Sequence, residues 1–318
     1  MPSFFGYEHV IENELKKKGF EVTLIYENLD ELNWLYRFIY VYFPRLKNKV
    51  MDNYYLNKFK RLSVKKFDYI LVIRGESLSE NSVRFLKQVQ PFASYIMYQW
   101  DSVSNNRNAL VLAPMFDQVF TFDMKDAITY SWKYRPLFFC NTESTVWKDR
   151  KYELLFVCPL HGKRAEIYQQ IKQLVEKNNL NGYFSIFSKW TRYFKQKYLK
   201  HNPLFTKLDL HDVSFKPLGL KEMQYLYARS KIVVDYTHPG QNGFTMRTIE
   251  SIGANCKLIT NNINIMKADF YNPNNILVYQ GNIGNIDENF WKTPYVPLKE
   301  EQYEYYSIHG WIKDILSL

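Results

Sequence analysis

The stretch from Val233 to Asn262, VVDYTHPGQNGFTMRTIESIGANCKLITNN, restricts the fold of this chain more than any other. KIVVDY is a short apolar run rich in β-branched residues and predicts a buried strand. THPGQNG, with two glycines and a proline, is a loop. FTMRTIESIGA spaces Phe244, Ile249 and Ile252 for one face of a helix, and Gly253 and Asn255 are its expected stops. CKLIT is a second buried strand. The result is a strand–loop–helix–strand unit with a glycine-bearing loop at the helix N-terminus.

That unit has a chemical consequence. The first N–H groups of a helix lack intrahelical partners, and the helix dipole is positive there. A glycine loop lets phosphate oxygens approach those groups. Arg247, one turn in, adds a permanently charged fork suited to phosphate. Glu250 lies three residues on and can accept from ribose hydroxyls. A ligand with phosphate and sugar fits this set. The competing reading is an ordinary βαβ unit in which Arg247 and Glu250 form a solvated i, i+3 pair, and spacing alone does not separate the two.

The rest of the chain repeats the pattern. EHVIENELKKKGF is an amphipathic helix stopped at Gly19, and EVTLIYE is a predicted strand. A doubly wound domain normally starts with a strand before its first helix. The expectation is therefore a strand ahead of Met1, and a complete first sheet would count against it. Asp30–Phe43 and Asp52–Leu62 are aromatic-rich helices separated by the basic segment PRLKNK. FDYILVIRGE, ASYIMYQWD, FDQVFTFD and RPLFFC are strands, with a helix capped by Ser79 after the first and the helix MKDAITYSWK after the third. Such alternation implies a parallel sheet with helices on both faces, whose ligands sit beyond the C-terminal strand ends. Glu76, Asp101 and Asp123 close three of these strands. Glu76 and Asp101 are candidate general bases for an acceptor hydroxyl, with helix capping as the alternative, while Asp123 before MKDAITY reads as an N-cap.

TESTVWKDRKYE is polar and charged and marks a domain boundary, which divides the chain into 1–148, 149–298 and a C-terminal helical segment, 299–318. KYELLFVC opens the second set. His161-Gly162-Lys163-Arg164 then sits between a strand end and a helix start, a second anion site with Lys163 or Arg164 as its charge; for Lys163 a plain surface loop is the preferred reading. SKWTRYFKQKYLKHN is a basic helix carrying Trp190, Tyr193, Phe194 and Tyr198. Packing of its aromatic side is expected, over binding to nucleic acid or a membrane surface. NILVYQG is an edge strand. The closing KEEQYEYYSIHGWIKDILSL is helical on either side of Gly310 and is expected to pack back on the first domain.

Composition enters where partners are concerned. The 318 residues carry a net charge of +10, which favours an anionic partner such as a nucleotide, a phospholipid surface or nucleic acid. Cys140, Cys158 and Cys256 show no CxxC or Cys/His spacing, which argues against a zinc site or disulfide framework and fits a reducing, cytoplasmic setting. No run of about 18 apolar residues is present, so a membrane span is not expected.

GQNGFTMRTIESIGANCKLITNN, preceded by KEMQYLYARSKIVVDY, resembles the nucleotide-binding domain of GT-B fold glycosyltransferases, nearest to the bacterial family found with capsule and lipopolysaccharide synthesis. LLFVCPLHGKR, FDYILVIRGE, YQWDS and FDQVFTFDMKDA support it, and together the short motifs touch most of the chain. The resemblance implies an α/β fold of two Rossmann-like domains facing a cleft, with the donor on the second domain and the acceptor on the first. By position, Gly240, Gln241, Asn242 and Gly243 would form the diphosphate loop, Arg247 and Arg164 would contact phosphate, and Glu250 would hold the ribose. Asn242 stands where many such enzymes have an acid eight residues before Glu250, so the retaining mechanism does not carry over directly. The family needs no metal at the diphosphate, and the chain has no Asp-x-Asp motif; no cofactor is expected. A UDP-sugar is the first expectation for the donor, with GDP, CMP and dTDP sugars left open. The implied partners are that donor, a surface polysaccharide or lipid-linked glycan acceptor and, through the positive charge, an anionic membrane at which the enzyme would be peripheral. A non-catalytic nucleotide-sugar-binding module is the second reading, and a nucleic-acid binder the third.

Overall fold

In the computed structural model, residues 1–3, 5–27, 38, 46–140, 145–160, 163–206, 208, 210–237, 242–283 and 286–318 are described. The helix expected over Asp30–Phe43 lies outside them save for Phe38, as do Gly240 and Gln241. The chain forms two compact units, Met1–Leu137 with Trp311–Leu318, and Phe138–Gly310.

The first unit is built on four parallel strands in the order β1 (Tyr69–Ile73), β2 (Ser94–Gln99), β3 (Gln118–Thr121) and β4 (Lys133–Tyr134). Pairing runs Tyr69 with Ser94, Ile96 with Gln118 and Phe120 with Lys133. Helices α1 (Tyr7–Lys17), α2 (Lys47–Leu62), α3 (Glu80–Val89), α4 (Asn108–Leu112) and α5 (Met124–Tyr130) surround it. Gly19 follows α1 at φ 90°, the left-handed turn that glycine allows without a Cβ clash. Ser79 caps α3 by accepting from the Ser82 N–H at 3.1 Å. Helix α2 starts five residues earlier than its apolar spacing indicates, at Lys47, and takes in the end of the basic segment. Met51, Tyr55, Phe59, Val72, Val83, Leu86, Met97 and Leu112 fill the core.

Two sequence expectations fail in this unit. EVTLIYE does not form a strand: residues 21–27 join no ladder with any described residue, and with β1 they line a cavity of about 550 Å³. The last strand falls on Lys133–Tyr134 rather than on RPLFFC. The apolar residues of that hexapeptide are instead buried singly, and Phe139 makes one parallel bridge to Ser307. The chain's end completes the first unit. In the last helix, whose Trp311–Leu316 part belongs to it, Trp311 is fully buried edge-on to Tyr98 at 4.8 Å, and Asp314 pairs with the buried Arg135 at 2.7 Å.

The second unit has six parallel strands: β5 (Tyr152–Pro159), β6 (Gly182–Phe187), β7 (Val213–Ser214), β8 (Ser230–Asp235), β9 (Lys257–Thr260) and β10 (Ile276–Val278). Their order in the sheet is β10-β9-β8-β5-β6-β7. The chain winds outward from β5 to β7, returns to place β8 on the other side of β5, and winds outward again. With right-handed crossovers this doubly wound order puts helices on both faces. Helices α6 (Arg164–Lys177), α7 (Trp190–Phe194), α8 (Leu220–Ala228) and α9 (Met246–Gly253) follow successive strands, and α10 (Glu300–Tyr306) and α11 (Ile308–Leu316) close the chain. The break between the last two is at Ser307, not at Gly310. Gly310 stays helical, and its role is close approach: a Cβ there would meet the Glu304 carbonyl oxygen at 2.2 Å. Leu154, Phe156, Ile171, Ile186, Ile232, Val234 and Ile259 form the core. The basic aromatic helix is shorter than expected: one α segment, α7, runs into a wide π turn over Lys195–Leu199. Tyr193 is buried, but Trp190, Phe194, Tyr198 and Leu199 are exposed, against the expectation that the aromatic side packs inward.

Candidate functional site

In the second sheet the strand order reverses between β5 and β8, the switch point beyond whose C-terminal strand ends doubly wound sheets take their ligands. The residues that meet there come from the end of β5, the start of α6, the end of β8 and the start of α9.

Asp235, the last residue of β8, is fully buried. It accepts from the Arg247 Nε at 2.8 Å and from the Thr248 and Thr245 hydroxyls. Burial alone would raise this carboxyl. The guanidinium and the two hydroxyls outweigh it and hold the group below the ordinary carboxylate range. Thr245 is also the N-cap of α9, accepting from the Thr248 N–H at 3.1 Å. That cap takes one of the amides the sequence offers to a phosphate. The Met246 and Arg247 amides have no protein acceptor among the described residues.

Arg247 is thus aimed by Asp235 through Nε, with its side chain 21% exposed. Arg164, the first residue of α6, is buried and donates to the Tyr236 and Pro159 carbonyls, both at 3.3 Å. Burial and the neighbouring Arg247 charge both push the Arg164 pKa down. Two guanidinium groups therefore sit within electrostatic reach of each other at the switch point, an arrangement that an anion between them would relieve. Gly243 is buried, and its carbonyl accepts from Asn262 at 3.4 Å, while Asn242 is half-buried with its side-chain oxygen 3.5 Å from Asn264. Lys163 is exposed at the N-cap of α6.

Glu250 is not the solvated partner of Arg247 that the spacing allowed. It is 1% exposed, and its carboxylate accepts from the Cys140 N–H at 3.3 Å and the Cys140 thiol at 3.0 Å. The carboxylate expected to hold a ribose is occupied by the backbone where the second unit begins. The two side chains lie only about 60° apart round the helix, but Arg247, in the first turn, reaches Asp235 at the β8 end, whereas Glu250, about 4.5 Å further along the axis, meets the residue 138–140 strap.

In the first unit, Arg74 follows β1 at φ 71°, a left-handed conformation costly for a residue with a Cβ. Its carbonyl is held by the Gln99 and Asn106 amides, each at 2.8 Å. Its guanidinium pairs with Glu76 at 2.7 Å and Asp101 at 3.0 Å. The two candidate bases thus share one cation. Burial raises the Asp101 pKa, Arg74 opposes the shift, and Glu76 adds to it. Glu27 belongs to the same cluster. Burial lifts its pKa to about 7 against the pull of the Met1 ammonium, Arg74 and the Gly75 N–H. Asp123 is an N-cap as its position indicates, accepting from the Lys125 N–H at 2.9 Å. Asp235, Arg74 and Glu27 were not singled out in the sequence. Thr245-x-x-Thr248 three turns of chain after a strand-final Asp is the signal for the first, while nothing local marks the other two.

No family model matches the chain, and no curated protein matches it. Solved structures do. HepE from Anabaena, in complex with UDP and glucose, is similar with a TM-score of 0.56 and 13% identity over 96% of this chain and 88% of that one. An apo structure of OtsA has a TM-score of 0.50 and 9% identity over 96% and 85%. A UDP-forming α,α-trehalose-phosphate synthase from Burkholderia xenovorans, in complex with glucose-6-phosphate, has a TM-score of 0.49 and 10% identity over 85% and 77%. At these identities the likeness is one of fold. The chain is an α/β protein of two Rossmann-like units, the GT-B architecture.

Proposed function

We propose that the chain is a glycosyltransferase that takes a nucleotide diphosphate sugar at the β5/β8 switch point of its second unit. The supporting observation is the pair Arg164 and Arg247, set beside the open Met246 and Arg247 amides. The charge there suits a departing diphosphate, which metal-independent transfer must neutralise by dipoles and cations. The residues of the 240–243 loop are the proposed diphosphate loop. UDP is the proposed nucleotide, in keeping with the UDP held by the similar HepE structure. Glu76 and Asp101 are the proposed acceptor-side bases; burial raises the Asp101 carboxyl, which makes it a better proton acceptor than an ordinary aspartate. Glu250 acts in this reading through Cys140, fixing the strap, and not on the ribose.

Thermal-shift titration with UDP, GDP, CMP and dTDP and their sugars tests the reading. One nucleotide class should stabilise the protein, by about 2.7 kcal/mol at a hundredfold excess over Kd. Arg247→Ala should abolish that shift, and loss of about 3 kcal/mol of leaving-group stabilisation should cut turnover by about a hundredfold. No shift with any nucleotide would defeat the proposal. Donor binding without release of the sugar, to water or to an acceptor, would favour a non-catalytic binding module instead.

The proposed acceptor is a surface polysaccharide or a lipid-linked glycan. None of the helices among the described residues is long and apolar enough to cross a membrane. A peripheral contact is proposed through Trp190, Phe194, Tyr198 and Leu199, exposed among Lys189, Arg192, Lys195 and Lys200. Aromatic and aliphatic groups ringed by cations suit an anionic headgroup layer. Co-sedimentation with phosphatidylglycerol vesicles at low salt should occur and should weaken in Trp190→Ser/Leu199→Ser; equal recovery with neutral vesicles or none at all refutes it.

A further inference from the structure

Two buried hydroxyl groups at the C-terminal rim of the second sheet have no partner. Tyr279 directly follows β10, and Thr237 stands two residues after Asp235. The two residues are 6% and 3% exposed. Neither the Tyr279 phenol nor the Thr237 Oγ1 meets a hydrogen-bond partner among the described residues. Buried polar groups in folded proteins are nearly all paired, so two orphans on one rim require a physical reason.

Main-chain bonds hold both residues in place. The Tyr279 N–H donates to the Thr260 carbonyl at 2.9 Å, next to the last paired residues of β9 and β10. The Asn261 side chain accepts from the Thr237 N–H at 2.7 Å and donates to the Thr237 carbonyl at 3.0 Å. The main-chain groups of Thr237 are therefore occupied, and its hydroxyl alone is left over. Strand β10 lies two places from β8, about 9.6 Å at 4.8 Å per strand. The long Tyr279 side chain packs with Val234 and Tyr236, and its phenol comes within electrostatic reach of Asp235 and Tyr236. A phenylalanine would fill the same space without stranding an oxygen. Arg164 donates to the Tyr236 carbonyl at 3.3 Å, so its guanidinium lies beside the peptide that leads into Thr237. The two hydroxyls thus belong to the same ground as Arg164, Arg247 and the first amides of α9.

We propose that the Tyr279 and Thr237 hydroxyls are binding residues of the donor site, donating to oxygens of the diphosphate beside Arg164 and Arg247. The inference rests on the nucleotide-sugar reading and adds two residues to that site. Hydroxyls add donors without adding charge, which suits a place where two guanidinium groups already oppose each other. Burial first, and then the Asp235 charge, push the Tyr279 phenol up, so it keeps its proton and acts as a donor. The competing occupant is a buried water that bridges the hydroxyls to the protein and plays no part in binding.

Tyr279→Phe and Thr237→Val separate the two, because each removes a hydroxyl and keeps the packing. Urea midpoints of the free chain and calorimetric titrations with pyrophosphate and with UDP are measured for each variant and for Arg247→Ala. Removing an unpaired hydroxyl should leave the midpoint unchanged or raise it. Affinity for both pyrophosphate and UDP should fall about tenfold in either variant. Affinities within threefold of the unsubstituted chain overturn the inference, and a lowered midpoint alongside them identifies the bridging water. A loss for UDP with none for pyrophosphate also overturns it, since the hydroxyls would then meet the nucleoside. If the variants bind normally while Arg247→Ala does not, this inference alone fails. If the unsubstituted chain binds neither probe, the nucleotide-sugar reading fails and takes this one with it.

Discussion

Replacing Arg247 with alanine tests the centre of the site without any ligand. In the folded protein Asp235 is fully buried, and its ionised form is held by Arg247 Nε at 2.8 Å and by the Thr245 and Thr248 hydroxyls. Removing the partner of a buried charge costs about 3–5 kcal/mol. The Arg247 side chain is 21% exposed and the two hydroxyls remain, so about 2–3 kcal/mol is expected here. Hydrogen exchange of the β8 and β9 amides reads this locally, without requiring the two units to unfold together, and 2–3 kcal/mol corresponds to about 30- to 150-fold faster exchange. The pH dependence has a definite sign. A carboxyl held below its ordinary value of 3.8 lends stability that is present above that value and lost as pH falls through its folded pKa. Without Arg247, burial dominates and the carboxyl rises, so the deficit of the variant is largest near neutrality and shrinks below about pH 4. Asp235→Asn in the Arg247→Ala background removes the orphaned charge and should recover part of the loss. Exchange within about threefold of the unsubstituted protein at pH 7 would refute the assignment of Arg247 as the partner that keeps Asp235 ionised.

Other outcomes follow from single contacts. Thr245→Ala removes the N-cap of α9 together with a hydroxyl bond to Asp235 and should cost about 1–2 kcal/mol, read as a lowered urea midpoint. Gly253→Ala would set a Cβ 2.3 Å from the Phe139 ring, and the overpacking should cost about 1–3 kcal/mol; an unchanged Tm would mean the strap moves freely. Glu27 titrates at about 7 in the folded chain, so its carboxyl lends stability at acid pH that is lost as pH rises from its ordinary 4.5 through that value. Glu27→Gln should therefore flatten the stability profile between pH 5 and 7, gaining up to about 2 kcal/mol at pH 7.5, and an unchanged slope in urea titrations would sink the assignment.

The stretch 233–262 made the second half legible because local signals agreed there. β-branched runs, a glycine loop and a helix with one apolar face can be satisfied together only in a β-α-β unit, and the strand-end positions of Asp101 and Asp123 followed from the same alternation. The charge, the cysteine spacing and the placing of Arg164 and Arg247 at helix starts were likewise readable one residue at a time. What the sequence could not determine were relations between residues far apart in the chain. Arg247 has its partner twelve positions back, on a strand end, while Glu250, one turn further along the same helix, meets Cys140, more than a hundred positions back in the chain. Arg74 gathers Glu76 and Asp101 only because parallel pairing sets the end of β1 beside that of β2. EVTLIYE has every propensity of a strand, yet a strand exists only where a neighbour offers hydrogen bonds, and that neighbour is a property of the sheet.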